Sequence, residues 1–272
     1  MLVHIADHGG TIVWDQIYYF GLSDYPTISD WELKKLILFI AHEKAQGRET
    51  TIRCDCEALN KAVTHALENP TQFLSAPKPK KITACTACRQ KGCLTDFVCH
   101  TASIEDAKAI LQCGKLLSAV KARGKTGIAL AQEPRNAAKD PPDFFDYIFF
   151  SWGNCIAGDR LVMERLLGNK SPTEYDLSDG FKPGVRFYFT YESLASHEAF
   201  LDDGYTPAKV KHELVLAEHL FCCIVPEEHK AAFASGVSPA LAGKVFYIKN
   251  DCEDIWGWSE KVYDFVCAHK RK

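Results

Sequence analysis

Apolar residues return at helical spacing over residues 27–46, where Trp31, Leu33, Leu36, Ile37, Phe39 and Ile40 follow the capping run Ile28-Ser29-Asp30. A second stripe of Leu59, Ala62, Val63, Ala66 and Leu67 predicts another amphipathic helix within residues 55–73. Beyond residue 95 the period shortens. Runs at 97–99, 147–151, 185–190, 212–217, 221–225 and 245–249 predict short strands separated by helices. The pattern implies an α+β chain: a small helical, cysteine-containing module over residues 1–94, then a second domain over 95–272. Pro77 and Pro79 mark the boundary, and no internal repeat or low-complexity segment interrupts either part.

Composition narrows the function classes. The chain has 272 residues, 47% of them hydrophobic, enough for a packed core. No apolar run approaches the ~20 residues of a membrane span, and the opening residues lack a secretory pattern, so a soluble cytoplasmic protein is expected, with no membrane partner. Twelve cysteines fall below the density of a disulfide scaffold. A formal charge of -3 argues against a broadly basic nucleic-acid binder. One local exception is the stretch 76–93, with Lys78, Lys80, Lys81, Arg89, Lys91 and no acidic residue.

That stretch also holds cysteines. Cys54 and Cys56 with Cys85 and Cys88 make two close thiolate pairs of the kind that wrap one tetrahedral zinc, with Cys93 as a substitute for one of the four. Packed free thiols are the competing reading.

The most informative stretch is Phe97-Val98-Cys99-His100-Thr101-Ala102-Ser103-Ile104-Glu105-Asp106, continuing to Gly114-Lys115-Leu116-Leu117. It places a histidine at a strand end. Ser103 can cap a helix, with Asp106 as a short capping-box partner, Ala107, Ile110 and Leu111 as the apolar face and Gly114 as the stop. His100 would then stand beside a helix N-terminus able to favour phosphate.

This stretch resembles the NAD-binding opening of ADP-ribosyltransferases, in particular the DarT-type toxins of the His-to-Glu branch. Three further segments are similar in the same order: Gln132-Glu133-Pro134-Arg135-Asn136, Asp146-Tyr147-Ile148-Phe149-Phe150 and Lys211-His212-Glu213-Leu214-Val215-Leu216, with 244–249 as a closing strand. Together they cover residues 95–250. The resemblance implies an ADP-ribosyltransferase-like split β-sheet core with flanking helices. It also implies an NAD site lined by His100, Ser103, Gly114, Leu117 and Tyr147, with Glu213 and Arg135 as catalytic residues.

The chemistry agrees with those residue types. Cleaving the nicotinamide–ribose bond passes through an oxocarbenium-like state, which a carboxylate beneath the ribose stabilises while serving as base to an incoming nucleophile. Glu213 is the candidate, its bland alternative being a glutamate at the exposed start of a strand. Arg135 offers a forked cation to pyrophosphate, or is a solvated loop arginine. His100 can bond a ribose hydroxyl, or is a half-buried polar residue. The chain departs from the family pattern at Ala102, Asp106 and Phe150-Ser151-Trp152. The loop 153–160 is either part of an acceptor pocket or a plain turn.

The implied activity is a toxin-type mono-ADP-ribosyltransferase acting on single-stranded DNA or RNA, with Phe149, Phe150 and Trp152 as stacking surfaces and an antitoxin as a further partner. The rival is a non-enzymatic, zinc-containing nucleic-acid or protein-binding module on a degenerate ADP-ribosyltransferase fold.

Overall fold

The computed structural model describes residues 1–7, 11–82, 92–134 and 139–270, with Ile12 described by its backbone alone. The front of the chain forms β1 (Leu2–Ile5), β2 (Ile12–Trp14), β3 (Ile17–Phe20), α1 (Asp30–Ala45), β4 (Thr51–Cys54) and α2 (Glu57–Glu68). Both expected helices are present. Ser29 caps α1 by accepting from the Glu32 amide, and the Glu32 carboxylate returns to the Ser29 amide, completing a capping box. The module is not purely helical, however. Its four strands form a sheet ordered β2-β3-β1-β4, with β1 parallel to β3 and β4 and both helices packed on one face. Strands of three or four residues are too short to impose a legible period, which is why the sequence pattern hides them. Val3, Ile5, Tyr18, Phe20, Leu36, Phe39, Leu59 and Val63 build this module's own core.

A two-stranded ladder of β5 (Lys81–Ile82) and β6 (Cys93–Leu94) leads into the larger domain. There follow β7 (Phe97–Ala102), α3 (Ile104–Cys113), β8 (Lys115–Leu117), α4 (Ala119–Arg123), α5 (Gly127–Ala131), β9 (Tyr147–Trp152), α6 (Ala157–Leu166) and α7 (Glu174–Leu177). The chain continues through β10 (Val185–Thr190), α8 (Tyr191–Ala195), β11 (Phe200–Leu201), β12 (Ala208–Lys211), β13 (Glu213–Val215), α9 (Leu216–His219), β14 (Cys222–Pro226), β15 (Val245–Ile248) and α10 (Ile255–Lys270). The architecture is α+β, a mixed seven-stranded sheet ordered β11-β12-β9-β7-β10-β14-β15 with helices on both faces. β8 and β13 form a separate two-stranded sheet.

Alternation along the strands divides two cores. Val98, Ala102, Ile148, Phe150, Phe187 and Val210 face Ala107 and Leu111 of α3, with Leu116 and Leu214 of the small sheet. Phe97, Cys99, Tyr188 and Ile224 face Met163 of α6 and Trp258, Val262 and Val266 of α10. In this second core lies a fully buried ion pair. The Arg186 Nε donates to Asp159 at 2.7 Å, and its Nη1 donates to Ser259 and Tyr188, each at 3.1 Å, so β10, α6 and α10 share one hydrogen-bonded centre.

The two halves of the seven-stranded sheet are joined narrowly. The β7–β9 ladder comprises only Val98↔Trp152 and Cys99↔Ser151, after which β9 pairs with β12 from Phe150 back to Tyr147. β7 meanwhile stays with β10 from Phe97 to Ala102.

Polar contacts lock the front module to the domain. The Tyr18 hydroxyl donates to the Gly204 carbonyl at 2.9 Å, Lys35 pairs with Asp202, and Arg48 spans Glu43 and Asp143 at 2.6 Å each. Gly204, at a φ of 76°, lies so close to α1 that a Cβ would come within 1.9 Å of the Lys35 carbonyl. Burial would raise the Asp143 carboxyl, but the His42 ring and the Arg48 guanidinium hold it well below the usual carboxylate range. A depressed carboxyl contributes stability above its unfolded value and loses it on acidification, so this contact weakens below about pH 4. Glu43 is fully buried, so Arg48→Ala leaves an uncompensated carboxylate. A loss of roughly 3–5 kcal/mol in urea unfolding is expected, and the Glu43→Gln/Arg48→Ala double variant should recover part of it.

Candidate active site

The strand, cap and glycine stop around His100 follow the sequence closely, with one correction. β7 runs on through Ala102, so His100 lies two residues inside the strand rather than at its end. Ser103 caps α3, its hydroxyl oxygen accepting from the Asp106 amide at 3.1 Å and its proton going to the Asp106 carboxylate at 3.0 Å. Gly114 closes the helix in the left-handed region, φ 71°, and its amide donates to Ile110.

His100 stands where β7 and β9 part. Beyond Cys99↔Ser151 the ladder has ended, and the His100 imidazole takes over: Nδ1 donates to the Phe149 carbonyl at 3.0 Å. Since a carbonyl only accepts, the proton sits on Nδ1 and the Nε2 lone pair is free for a donor. No described residue hydrogen-bonds Nε2. Burial pushes the His100 pKa below its ordinary 6.5, with the Phe149 carbonyl opposing and Arg165 adding to the effect. The ring is therefore neutral at physiological pH.

Glu213 follows a kink. His212 takes φ 67°, its carbonyl accepts from the Ser118 amide at 2.7 Å, and the strand expected over 212–217 shrinks to β13 before turning into α9. Within β13 the buried Leu214 alternates with the exposed Glu213, and Leu216, the first residue of α9, is fully buried as well. Register pairs Glu213 with Leu117, and Lys115 Nζ donates to its carboxylate at 3.0 Å. The Leu216 amide donates to the Gly114 carbonyl at 2.9 Å. Glu213 and Leu117 thus face each other at one end of the small sheet and Gly114 lies beside Leu216 at the other, while Leu116 and Leu214 pack into the same core as Val98 and Ala102.

Tyr147 is not brought to His100. His100 shares its face with Phe150, ring centroids 6.0 Å apart, whereas Tyr147 lies on the opposite side of β9 beside Lys209. That side holds a feature hidden in the residue pattern. Lys209, fully buried, pairs with Asp203 and sits 4.2 and 4.5 Å from the ring centroids of Phe144 and Phe149. In the alternation of Ala208, Lys209, Val210 and Lys211 it reads as an ordinary exposed lysine.

The expected stacking surface is also placed otherwise. Phe150 is core, Phe149 lies against Lys209, and Trp152 packs on Tyr191 at 5.7 Å. The loop after β9 is a turn: a Cβ on Gly153 would meet the Tyr263 ring, and buried Asn154 accepts from the Leu94 amide and donates to the Gly92 carbonyl. Arg135, Cys85 and Cys88 lie outside the described residues. Cys54 and Cys56 pack on the front module's core, Cys56 accepting from the Leu59 amide, whereas Cys93 is buried in the core under α10. Among the described residues no three side chains form a metal-binding group. Nor does any helix among them have the length and apolarity to cross a membrane.

No family model, curated protein or solved structure matches the chain.

Histidine ¹⁵N spectra test the His100 assignment directly. The ring should stay in the Nδ1–H form and remain neutral as the pH falls past 6.5. In that range the unfolded chain takes up a proton that the folded one refuses, so this residue lowers stability on acidification. An Nε2–H tautomer at neutral pH would contradict the assignment.

Proposed function

We propose that this protein is an NAD-dependent mono-ADP-ribosyltransferase that modifies a single-stranded nucleic acid. The observation that carries the reading is His100: a neutral imidazole, fixed through Nδ1, whose Nε2 lone pair is free at the point where the sheet parts. Such a nitrogen accepts from a ribose hydroxyl and orients the dinucleotide without adding positive charge near the developing oxocarbenium. Ser103 and Gly114 set the ends of the helix that follows, and Leu117 lies beside Glu213. In the reaction the bond from ribose C1′ to the nicotinamide nitrogen breaks and nicotinamide leaves with the bonding pair. A base nitrogen or oxygen of the acceptor bonds to C1′ and passes its proton to Glu213. Arg135 supplies the cation for the pyrophosphate. With Cys85 and Cys88, the thiolates of Cys54 and Cys56 would hold one structural zinc, which elemental analysis of the purified protein decides.

A second reading is favoured by one observation. Glu213 is exposed and already paired with Lys115, as expected of a binding module that has lost catalysis. Incubation with adenylate-labelled NAD and separate pools of DNA, RNA and protein separates the two readings. Label retained by a nucleic-acid pool supports transfer; none retained in any pool supports the binding module. Glu213→Gln should lower transfer by at least about a hundredfold while NAD binding persists, because the amide keeps the shape and loses the charge and basicity. Unchanged turnover in a folded variant would remove Glu213 from catalysis.

A further inference from the structure

With Phe149, Phe150 and Trp152 committed to packing, the acceptor must be held elsewhere. Lys78, the first lysine of the basic stretch 76–93, donates to the Thr95 carbonyl at 2.8 Å and lies 4.9 Å from the Tyr191 ring. Another surface is better placed. In a chain of formal charge -3, residues 115–128 carry Lys115, Lys121, Arg123 and Lys125 and no carboxylate.

The fold presents these cations together. Ser118, 1% exposed, donates its amide to the His212 carbonyl and caps α4 through the Lys121 amide, tying the segment to the residue before Glu213. Gly124, φ 61°, turns the chain, and Thr126 caps α5. The side chains of Lys115, Arg123 and Lys125 are 43%, 41% and 54% exposed, and Lys121 is exposed as well. Among the described residues two carboxylates pair with them, while Asp143 of the turn packed beneath α4 and α5 is held by Arg48. Glu133 lies 3.4 Å from Arg123 and 2.9 Å from Lys125, and Glu213 lies 3.0 Å from Lys115. Four cations against two anions leave a positive surface, and Lys121 has no carboxylate within ion-pair distance among the described residues. Leu117 and Ile128 are 38% and 63% exposed on the same segment, apolar area for sugars and base faces between phosphate contacts.

We infer that the segment from Lys115 to Ile128 docks the phosphate backbone of a single-stranded nucleic acid, with Lys121, Arg123 and Lys125 as phosphate contacts. The inference rests on the transferase reading and makes the bound strand the acceptor presented to Glu213. Charge decides for this occupant: an extended polyanion replaces Glu133 as the partner of two cations and engages Lys121 as a third.

The test is fluorescence anisotropy of a labelled single-stranded oligonucleotide of mixed sequence, titrated with the full chain without NAD over a range of salt concentrations. The triple variant Lys121→Glu/Arg123→Glu/Lys125→Glu should bind at least about tenfold more weakly, with a salt slope smaller by about 2, as loss of three single-strand phosphate contacts requires. Lys121→Glu alone keeps both partners of Glu133 and should weaken binding about threefold. Lys170→Glu, the same charge change as Lys121→Glu at an exposed position after α6, is the control and should bind like the parent. No oligonucleotide binding by the parent at low salt overturns the inference, as does equal binding by the triple variant and the control. Label transfer to protein alone overturns it too. Oligonucleotide held through this patch without any transfer of label sinks the transferase reading and leaves the docking surface standing. Transfer to nucleic acid undiminished in the triple variant does the reverse.

Discussion

A sheet that stays paired for two residues and then parts is the constraint on which the site depends. β7 is held along its whole length by β10, and β9 is claimed by β12 from Phe150 back to Tyr147. Those pairings use the outer edges of the two strands, and on the facing edges the ladder ends at Cys99↔Ser151. Backbone groups left at such a parting need partners, and the Phe149 carbonyl finds the His100 ring. One hydrogen bond thus satisfies the sheet and fixes a tautomer. The histidine that completes the sheet is, for that reason, an oriented acceptor at Nε2.

The surrounding layers hold this arrangement from both sides. Behind β7 the buried Arg186–Asp159 pair joins β10, α6 and α10, with Tyr188 and Ser259 taking further guanidinium protons. Withdrawing either partner of a buried charge pair leaves the other charge uncompensated, so the pair ties these elements to one another. In front, Leu116 and Leu214 seat the small sheet on the core, which carries Glu213, Lys115 and the basic segment beyond Ser118 along one rim. On the far side, Lys209 and its aromatic box occupy the corner where Tyr18 and Arg48 attach the front module.

Much of this was legible in the residues. The cap at Ser103, the stop at Gly114, the strand at 185–190 and the outward phase of Glu213 follow from local rules that act within a few residues. What stayed hidden depends on distant partners. The front sheet consists of strands of three or four residues whose pairing is set by α1 and α2. Lys209 is buried only because Asp203 and four aromatic rings converge on it. His212 takes a left-handed conformation because Ser118 and Asp146 hold its backbone, so the run read as a strand over 212–217 begins only at Glu213 and turns into α9 at Leu216.

The proposed function turns on whether the free nitrogen of His100 receives NAD. Titrating NAD into protein labelled with ¹⁵N in its histidines reads that nitrogen directly. A saturable shift at His100 Nε2 is expected, with the Nδ1–H bond to Phe149 retained and the remaining histidine signals largely unmoved. A spectrum in which His100 Nε2 keeps its free position at saturating NAD would contradict it.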